Sequence, residues 1–301
     1  MTHDNWYLTG DLDEFLSRAG EFLRSRPARH TVHLTVTENL RSRGGRVYGD
    51  GAPEFGVLEE VGAVRAAFFR TPPHPLVSTP LTEAEADALA GRLAGAGRAL
   101  SGVNAEHDTA AAFAAAWRRH TGAEAAVHKR LRLYRLGELS VPQPVPPGRA
   151  RVAGAEDQER LARWYGEFCA DVGETVVRNP ADWADERVER GDVRFWELPD
   201  GTPVAMAGTS PKVAGQIRVV AVYTPAGLRG RGYAGAVTTE VTRAALAAGA
   251  EEVLLFTDLA NPTSNGLYQR IGYRPVSDFA VHGFAVHGFA VHERAVHASA
   301  G

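Results

Sequence analysis

Residues 217–248 read IRVVAVYTPAGLRGRGYAGAVTTEVTRAALAA, and this stretch predicts a strand, a loop and a helix. The first seven residues, Ile217 to Tyr223, are almost all apolar and mostly β-branched, which is typical of a strand buried on both faces. Pro225 ends the strand because proline cannot continue a central ladder. Beyond the loop, apolar residues recur at helical spacing, which predicts an amphipathic helix from about Gly232.

The loop between this strand and this helix favours an anionic ligand. Arg229 and Arg231 lie at the positive end of the helix macrodipole, where each costs about 0.3 to 1 kcal/mol unless an anion is nearby. Gly230 and Gly232 carry no side chain that would keep a phosphate from the free N–H groups of the first turn. The alternative is a flexible, solvated glycine–arginine turn, because short motifs match by chance.

The composition is that of an ordinary globular protein. The 301 residues are 44% hydrophobic and 23% charged, which predicts about two domains, each able to bury a core. The net charge of −3 argues against nucleic-acid and membrane-surface partners. The single cysteine, Cys169, fits a reducing compartment. With neither a signal-peptide pattern nor a run near the ~18 apolar residues of a membrane span, we expect a cytoplasmic protein.

The order of the predicted elements suggests an internal duplication. Residues 139–150, LSVPQPVPPGRA, predict a stiff extended linker because they contain prolines at four positions. The order of two helices, a hairpin, a strand, a helix, a strand and a helix recurs on both sides of it. We therefore expect a first copy at 1–138, the linker at 139–150, a second copy at 151–284 and a repetitive tail at 285–301.

The two copies differ where the loop should be. Thr79-Pro80 corresponds to Thr224-Pro225, but Leu81-Thr82-Glu83-Ala84 follows it in place of the arginine–glycine loop. An acidic helix start repels a phosphate. We therefore expect the first copy to be degenerate and not to bind a nucleotide.

From Ala280 into the tail, the chain repeats a five-residue unit that places histidines at positions 282, 287, 292 and 297. A period of five matches neither the helical nor the strand repeat, so one regular element cannot bring all four to one face. We expect no metal site and interpret the tail as repeat expansion beyond a final strand.

A dinucleotide-binding site is an alternative interpretation of the loop. Gly230, Gly232 and Gly235 have the spacing of that fingerprint, and Asp258 ends the next predicted strand, where a ribose-binding acid would lie. Against it, seven positions separate Tyr223 from the first glycine, the motif follows a hairpin, and too little chain remains for the second half of such a fold. A NAD-binding oxidoreductase is therefore the less favoured alternative.

Two motifs, in this order, resemble the GCN5-related N-acetyltransferases over about residues 150 to 284. The motifs are Val222-Tyr223-Thr224-Pro225 with Arg229-Gly230-Arg231-Gly232-Tyr233-Ala234, and Asn261-Pro262-x-Ser264-x-x-Leu267-Tyr268-x-x-x-Gly272-Tyr273. In that family the pattern [Gln/Arg]-x-x-Gly-x-[Gly/Ala] binds the pyrophosphate of acetyl-CoA, and Arg229, Gly232 and Ala234 satisfy it. The resemblance implies an α/β (α+β) acyl-CoA N-acyltransferase fold, a mixed central sheet flanked by helices, in two tandem copies.

The resemblance also implies a site for acetyl-CoA and direct acetyl transfer to an amine. The strand from Ile217 would part from the strand Val253–Thr257 to admit the pantetheine, and a backbone N–H near Val222 would polarise the thioester carbonyl. The loop would hold the pyrophosphate, and the second motif would contact the pantetheine. The expected cofactor-binding residues are Val222, Tyr223, Thr224, Arg229, Gly230, Arg231, Gly232, Tyr233, Ala234, Asn261 and Ser264.

The catalytic candidate is Tyr268, which occupies the position where the family often has a tyrosine beside the thioester sulfur. A phenol of pKa about 10 can protonate a leaving thiolate; the alternative is a packing tyrosine between Leu267 and Ile271. The general base is not readable, since Asp258 and Glu197 fit a solvated role equally well.

The acceptor is expected to be a small-molecule or amino-acid-like amine, and the protein a monomer or homodimer. The sequence does not identify the acceptor, because the family resemblance implies a pocket built from the first two helices and variable loops. Trp164, Tyr165 and Trp183 could line that pocket or fill the core, and core packing is the favoured interpretation. Cys169 is expected to be a small buried residue and not a nucleophile. A catalytically idle acyl-CoA-binding module is the main alternative to an enzyme.

Overall fold

The computed structural model describes residues 6–173 and 179–285. In the first half, the elements are β1 (Trp6–Thr9), α1 (Leu12–Arg24), α2 (Thr31–Arg43), β2 (Glu54–Glu60), β3 (Ala63–Arg70), β4 (Leu76–Ser78), α3 (Glu83–Gly95), β5 (Gly102–Glu106), α4 (His107–Thr121) and β6 (Ala125–Leu136). The second half repeats this order with β7 (Arg149–Val152), α5 (Gln158–Asp171), α6 (Pro180–Arg190), β8 (Val193–Glu197), β9 (Pro203–Thr209), β10 (Gln216–Tyr223), α7 (Tyr233–Ala247), β11 (Glu252–Asp258), α8 (Pro262–Ile271) and β12 (Tyr273–Phe284). The predicted strand from Ile217 and the helix near Gly232 are confirmed by β10 and α7.

Contacts divide the described chain into two units. The first unit contains residues 6–25, 36–130 and 278–285. The second unit contains residues 26–35, 131–173 and 179–277. These bounds differ from the expected domains because β6 and β12 each change unit part of the way along the strand.

The first unit has the sheet order β1-β2-β3-β4-β5-β12, in which β4 and β5 are parallel. The last part of β12 completes this sheet, since Phe279 to Gly283 pair antiparallel with Glu106 to Gly102 on β5. The core includes stacked Phe113, Trp117 and Phe284. The first histidine of the five-residue repeat, His282, therefore lies in a strand, and those at 287, 292 and 297 fall outside the described residues.

The second unit has the sheet order β6-β11-β10-β9-β8-β7, in which β10 and β11 are parallel. One face packs against α7 and α8, and the other packs against α5 and α6. Neighbouring residues alternate between the two cores: Phe195 lies under α5 and Trp196 under α7. The sixth strand, β6, comes from the chain before the proline-rich segment, so each unit is completed by a strand from the other half of the sequence.

The proline-rich segment 139–150 is packed against the second unit. The Ser140 N–H donates to the carbonyl of Ile271 at 2.8 Å, and the Trp196 indole N–H donates to the carbonyl of Pro147 at 3.1 Å. Gly272 has a φ of 107°, and a Cβ there would lie 1.8 Å from the carbonyl oxygen of Glu138. This close approach requires glycine. The segment that was expected to be a linker therefore follows a path fixed by backbone contacts.

The aromatic residues of α5 and α6 pack in the core, as expected. Trp164 and Trp183 are buried, and the Tyr165 ring stacks on Trp183 at 4.1 Å. Cys169 is also buried. Within residues 6–173 and 179–285, no helix combines the length and the apolar character that crossing a membrane requires.

Candidate active site

A gap opens between β10 and β11 toward their C-terminal ends. The two strands pair only from Gln216 opposite Glu252 to Arg218 opposite Leu254. Beyond that point β11 follows β6 as far as Asp258, while β10 stays with β9. The expected parting of these strands is therefore present, and it lies directly before the glycine–arginine loop.

A β-bulge turns the end of β10 over. Ile217 and Val219 belong to the core under α7, whereas Ala221 and Tyr223 belong to the core under α5 and α6. In a regular strand these alternate residues would share one face. The register against β9 shifts after Val220, and Ala221 adopts a left-handed φ of 50°, which is uncommon for a non-glycine residue. The bulge turns Val222 toward the α7 side, as is common for bulges beside functional sites.

Among the described residues, no side chain caps the start of α7. Gly232 is the N-cap residue with a φ of 83°, and it has no side chain that could accept a hydrogen bond from the first turn. The first turn also holds no acidic residue. Nearby, the Thr224 hydroxyl is buried without a hydrogen-bond partner among the described residues. Free N–H groups, a glycine approach and a buried hydroxyl are features of an anion site.

The two arginines of the loop are exposed, and one of them is partly neutralised. Arg229 pairs with Asp171 at the end of α5, and its Nε–H donates to the carbonyl of Thr224 at 2.9 Å. Arg231 donates to the carbonyl of Gly227 at 3.3 Å. Asp171 thus supplies part of the negative charge that balances Arg229, whereas the sequence predicted that a bound anion would supply it.

Other expected binding residues are distributed around this loop. Gly230 has a φ of 76°, Tyr233 is buried in the α7 core, and Ala234 is half-buried in the first turn. The Tyr223 side chain points to the α5 face, where its hydroxyl donates to Glu167 at 2.7 Å. Burial, with the Glu167 carboxylate, raises the pKa of Tyr223 to about 12. A ligand contact by Tyr223 in the gap would therefore come from its backbone.

The second motif forms the turn into α8. Asn261 is the N-cap, and its side-chain oxygen accepts the Ser264 N–H at 3.0 Å. Pro262 at the first helical position fits because that N–H needs no helical partner. The oxygen of Asn261 is therefore occupied by capping, and both residues lie next to the C-terminal end of β11.

Tyr268 lies on α8 with its ring in the core under α7. Its ring meets the Tyr273 ring at 6.2 Å and an interplanar angle of 72°. Burial raises the pKa of Tyr268 to about 12. Among the described residues, no group hydrogen-bonds its hydroxyl, so the phenol is protonated near neutral pH and its donor is uncommitted.

Gly235, the third glycine of the dinucleotide-like spacing, serves helix packing. A Cβ at this position would lie 3.1 Å from the Leu267 Cδ1 of α8. The glycine thus lets α7 and α8 approach each other, and this packing accounts for the spacing without a dinucleotide.

The two carboxylates considered as bases are engaged elsewhere. Glu197 accepts hydrogen bonds from Arg151 and Arg149, and these arginines lower its pKa. The Asp258 carboxylate accepts the Ala260 N–H at 2.7 Å. Among the described residues, no group of three or more His, Cys, Asp or Glu side chains has the arrangement of a metal site.

In the first unit, the corresponding helix is α3, and side chains of its own first turn and N-cap residue cap its start. Thr82 and Glu85 form a reciprocal capping box at the start of α3, and Glu85 pairs with Arg65 at 3.1 Å. The Thr79 hydroxyl accepts the Ala67 N–H at 2.9 Å, whereas the hydroxyl of its counterpart Thr224 has no hydrogen-bond partner in residues 6–173 and 179–285. The capping box occupies the N–H groups of Thr82 and Glu85, and the carboxylates of Glu83 and Glu85 add negative charge where a phosphate would lie.

Several residues around the site carry no signal in the sequence. Asp171 and Glu167 reach the loop and β10 through tertiary packing of α5, which no local pattern encodes. Asn265 follows Asn261 by one helical turn, and Tyr134 lies on β6, which the sequence placed at the end of the first domain.

Comparison with known proteins assigns this region. Residues 159–273 match the model of the Acetyltransferase (GNAT) family. This segment is a GNAT acetyltransferase domain. It contains β10, the loop, α7 and α8, so the match covers both sequence motifs. Comparison with curated proteins gives no match.

Solved GNAT structures share the fold along most of the chain. A GCN5-related N-acetyltransferase from Kribbella flavida is 21% identical, covering 85% of this chain and 95% of its own, with a TM-score of 0.54. Another from Sphaerobacter thermophilus is 17% identical, covering 94% and 96%, with a TM-score of 0.61. A tandem GNAT protein from the clavulanic acid biosynthesis pathway is 13% identical, covering 93% and 98%, with a TM-score of 0.52. The predicted fold class, a mixed sheet flanked by helices in two GNAT-like copies, is confirmed.

Proposed function

We propose that the second unit transfers an acetyl group from acetyl-CoA to the amine of a small molecule. The observation that carries this proposal is one combination: the gap between β10 and β11 opens directly onto the uncapped start of α7. A gap of this kind accommodates an extended arm that pairs with strand backbone, and a helix start of this kind binds a phosphate. Acyl-CoA joins those two chemical groups in one molecule.

The residues of the loop fit the diphosphate end of acetyl-CoA. The N–H groups at Tyr233 and Ala234 begin α7 without an internal partner, and Gly232 adds no side chain in front of them. Arg229 and Arg231 add two exposed positive charges at this position. Their charge and the helix dipole both favour an anion, which supports a diphosphate site at this point.

The chemistry proposed for the acyl end needs two contributions from the protein. The N–H of Val222, at the bulge, would donate to the thioester oxygen as negative charge develops on it. The acceptor attacks as a free amine: its nitrogen forms a bond to the acyl carbon, the carbon–sulfur bond breaks, and the extra proton on the nitrogen passes to water. Tyr268 would donate its phenolic proton to the departing sulfur and recover one from solvent.

Binding and turnover are tested separately. Isothermal titration of the full chain with acetyl-CoA, free CoA and NAD should give heat for the first two and none for NAD. Heat of binding from NAD and none from acetyl-CoA or CoA would overturn the acyl-CoA proposal. Release of free thiol is then measured over a panel of primary amines, with an amine-free reaction as the control. Binding of acetyl-CoA without amine-dependent thiol release from a broad panel would favour the idle binding module.

A further inference from the structure

One polar network in the second unit is built from side chains that neither GNAT motif specifies. Tyr134 is a fully buried residue of β6, and its hydroxyl donates to the side-chain oxygen of Asn265 at 2.9 Å. The same hydroxyl accepts the side-chain N–H of Gln269 at 3.0 Å. Asn265 and Gln269 are one turn apart on α8, so a single phenol fixes one face of that helix.

The network continues into the turn before α8. The Asn265 side-chain nitrogen donates to the carbonyl of Asp258 at 2.8 Å and to the carbonyl of Asn261 at 2.7 Å. Asn265 can make these bonds and accept from Tyr134 in only one orientation of its amide. Tyr134 thus connects β6 to the end of β11 and to the cap of α8.

Tyr268 lies between the two α8 residues that Tyr134 holds. It follows Asn265 by three positions and directly precedes Gln269. Its own hydroxyl makes no hydrogen bond to the described residues, so the phenol is positioned by its helix and by ring packing. The Tyr268 ring packs against the Tyr273 ring. The Tyr273 hydroxyl in turn forms a hydrogen bond of 2.8 Å with the Thr242 hydroxyl on α7.

We infer that Tyr134 is a positioning residue for the acyl-transfer site: its phenol fixes α8 so that Tyr268 points at the departing sulfur. Tyr134 precedes the segment 159–273 that matches the GNAT family, so part of the catalytic geometry is supplied by the first half of the chain. This inference rests on the proposed acetyl transfer and on the acid role of Tyr268. Tyr134 itself would touch neither the acyl group nor the amine.

The test is a double-mutant cycle of Tyr134→Phe and Tyr268→Phe in the full chain. Tyr134→Phe keeps the ring in the core but leaves Asn265 without its donor and Gln269 without its acceptor. We expect kcat to fall about tenfold, because small misplacements of a catalytic group are costly. The acetyl-CoA Kd should change by a smaller factor than kcat, since the loop before α7, where the diphosphate would bind, lies outside this network. In the Tyr268→Phe background, Tyr134→Phe should change kcat by less than about twofold.

A general loss of stability is separated from positioning by Thr109→Val in the first unit. This control removes a buried hydroxyl that accepts the Leu81 N–H at 2.9 Å, but from the unit without Tyr268. It should lower Tm and leave kcat within about twofold. An unchanged kcat in Tyr134→Phe, or losses that multiply independently in the double variant, would overturn the inference.

The inference and the proposed function fail in different ways. If the unmodified chain neither binds acetyl-CoA nor releases thiol, the proposed function is wrong. If it does both and Tyr268→Phe retains full kcat, positioning through Tyr268 is overturned while acetyl transfer stands.

Discussion

The carboxylate of Asp171, at the end of α5, pairs with the guanidinium of Arg229 in the loop before α7. Both side chains are about half exposed, at 46% and 50%. Ion pairs of this exposure contribute little, because water screens them and two long side chains lose freedom. A bound diphosphate would therefore compete with Asp171 for the same guanidinium.

Replacement of Asp171 by Asn should strengthen acetyl-CoA binding. The change frees Arg229 and removes a negative charge that repels the diphosphate, so we expect Kd to fall about twofold to fivefold, the range of an exposed ion pair. Titration calorimetry at low salt measures it. Arg229→Gln alone should raise Kd, and the benefit of Asp171→Asn should shrink in its presence. Weaker binding by Asp171→Asn would show instead that Asp171 orients Arg229 for the ligand.

The chain should bind one acetyl-CoA. In the first unit Thr82 and Glu85 satisfy the start of α3, whereas α7 begins at Gly232 with no side-chain cap. Calorimetry should therefore give a stoichiometry near one. Gly232→Asp places a carboxylate at the start of α7 and should remove binding altogether, because like charges repel there. Binding that persists in this variant, or a stoichiometry of two, would reveal a second site in the first unit.

The Tyr268 hydroxyl should matter for turnover and little for stability. Since this hydroxyl has no hydrogen-bond partner among the described residues, Tyr268→Phe should leave Tm nearly unchanged while kcat falls at least tenfold. Tyr273→Phe is the matched comparison for stability, because that hydroxyl bonds to Thr242; its loss should cost about 1 kcal/mol. Thermal unfolding and thiol release measure the two effects. A kcat loss well under about tenfold in Tyr268→Phe would show that Tyr268 is a packing residue and not the acid.

The raised pKa of Tyr268 predicts the alkaline side of the rate profile. Burial favours the neutral phenol and raises its pKa to about 12, so the proton it would donate is retained well above pH 10. The acceptor amine loses its proton as pH rises, and kcat/KM should therefore increase and then level off by about pH 10. A fall with an apparent pKa near 10 that disappears in Tyr268→Phe would contradict this.

The same shift has a consequence for stability with a definite sign. The folded state holds the Tyr268 proton more tightly than the unfolded chain, whose phenol has a pKa near 10. This contribution is fully present below pH 10 and is lost as pH rises from about 10 to about 12. Thermal unfolding of Tyr268→Phe should therefore show a weaker decline of Tm over that interval than the unmodified chain.

Local patterns predicted most of the second unit. The apolar run from Ile217, the proline after it and the glycines of the loop all act within a few residues, and β10, the loop and α7 follow from them. Gly272, which ends α8 in a left-handed conformation, is likewise a local signal. The gap between β10 and β11 came from the family resemblance and not from periodicity.

Long-range partners could not be predicted in the same way. The alternating residues of β6 are typical of a strand, but period two does not state which neighbour a strand joins. Prolines predicted a stiff segment at 139–150 without indicating that it follows the second unit. Asp171 and Tyr134 reach the site only through these tertiary arrangements.

The placement of β6 predicts which fragments of the chain fold. Residues 131 to 135 pair with β11 from Asp258 to Leu254, and both Leu133 and Tyr134 are fully buried. A fragment that begins at residue 148 therefore leaves the edge of β11 unpaired. It also leaves a void where Leu133 and Tyr134 pack, and loss of one core aromatic side chain lowers the free energy of unfolding by about 3 to 5 kcal/mol. We expect it to be aggregated or to lack a cooperative thermal transition. A fragment of residues 125–301 keeps β6 and is the matched control; it should unfold at a clearly higher temperature by circular dichroism. Equal Tm values for the two fragments would show that β6 is dispensable for the second unit and that its pairing with β11 contributes little to stability.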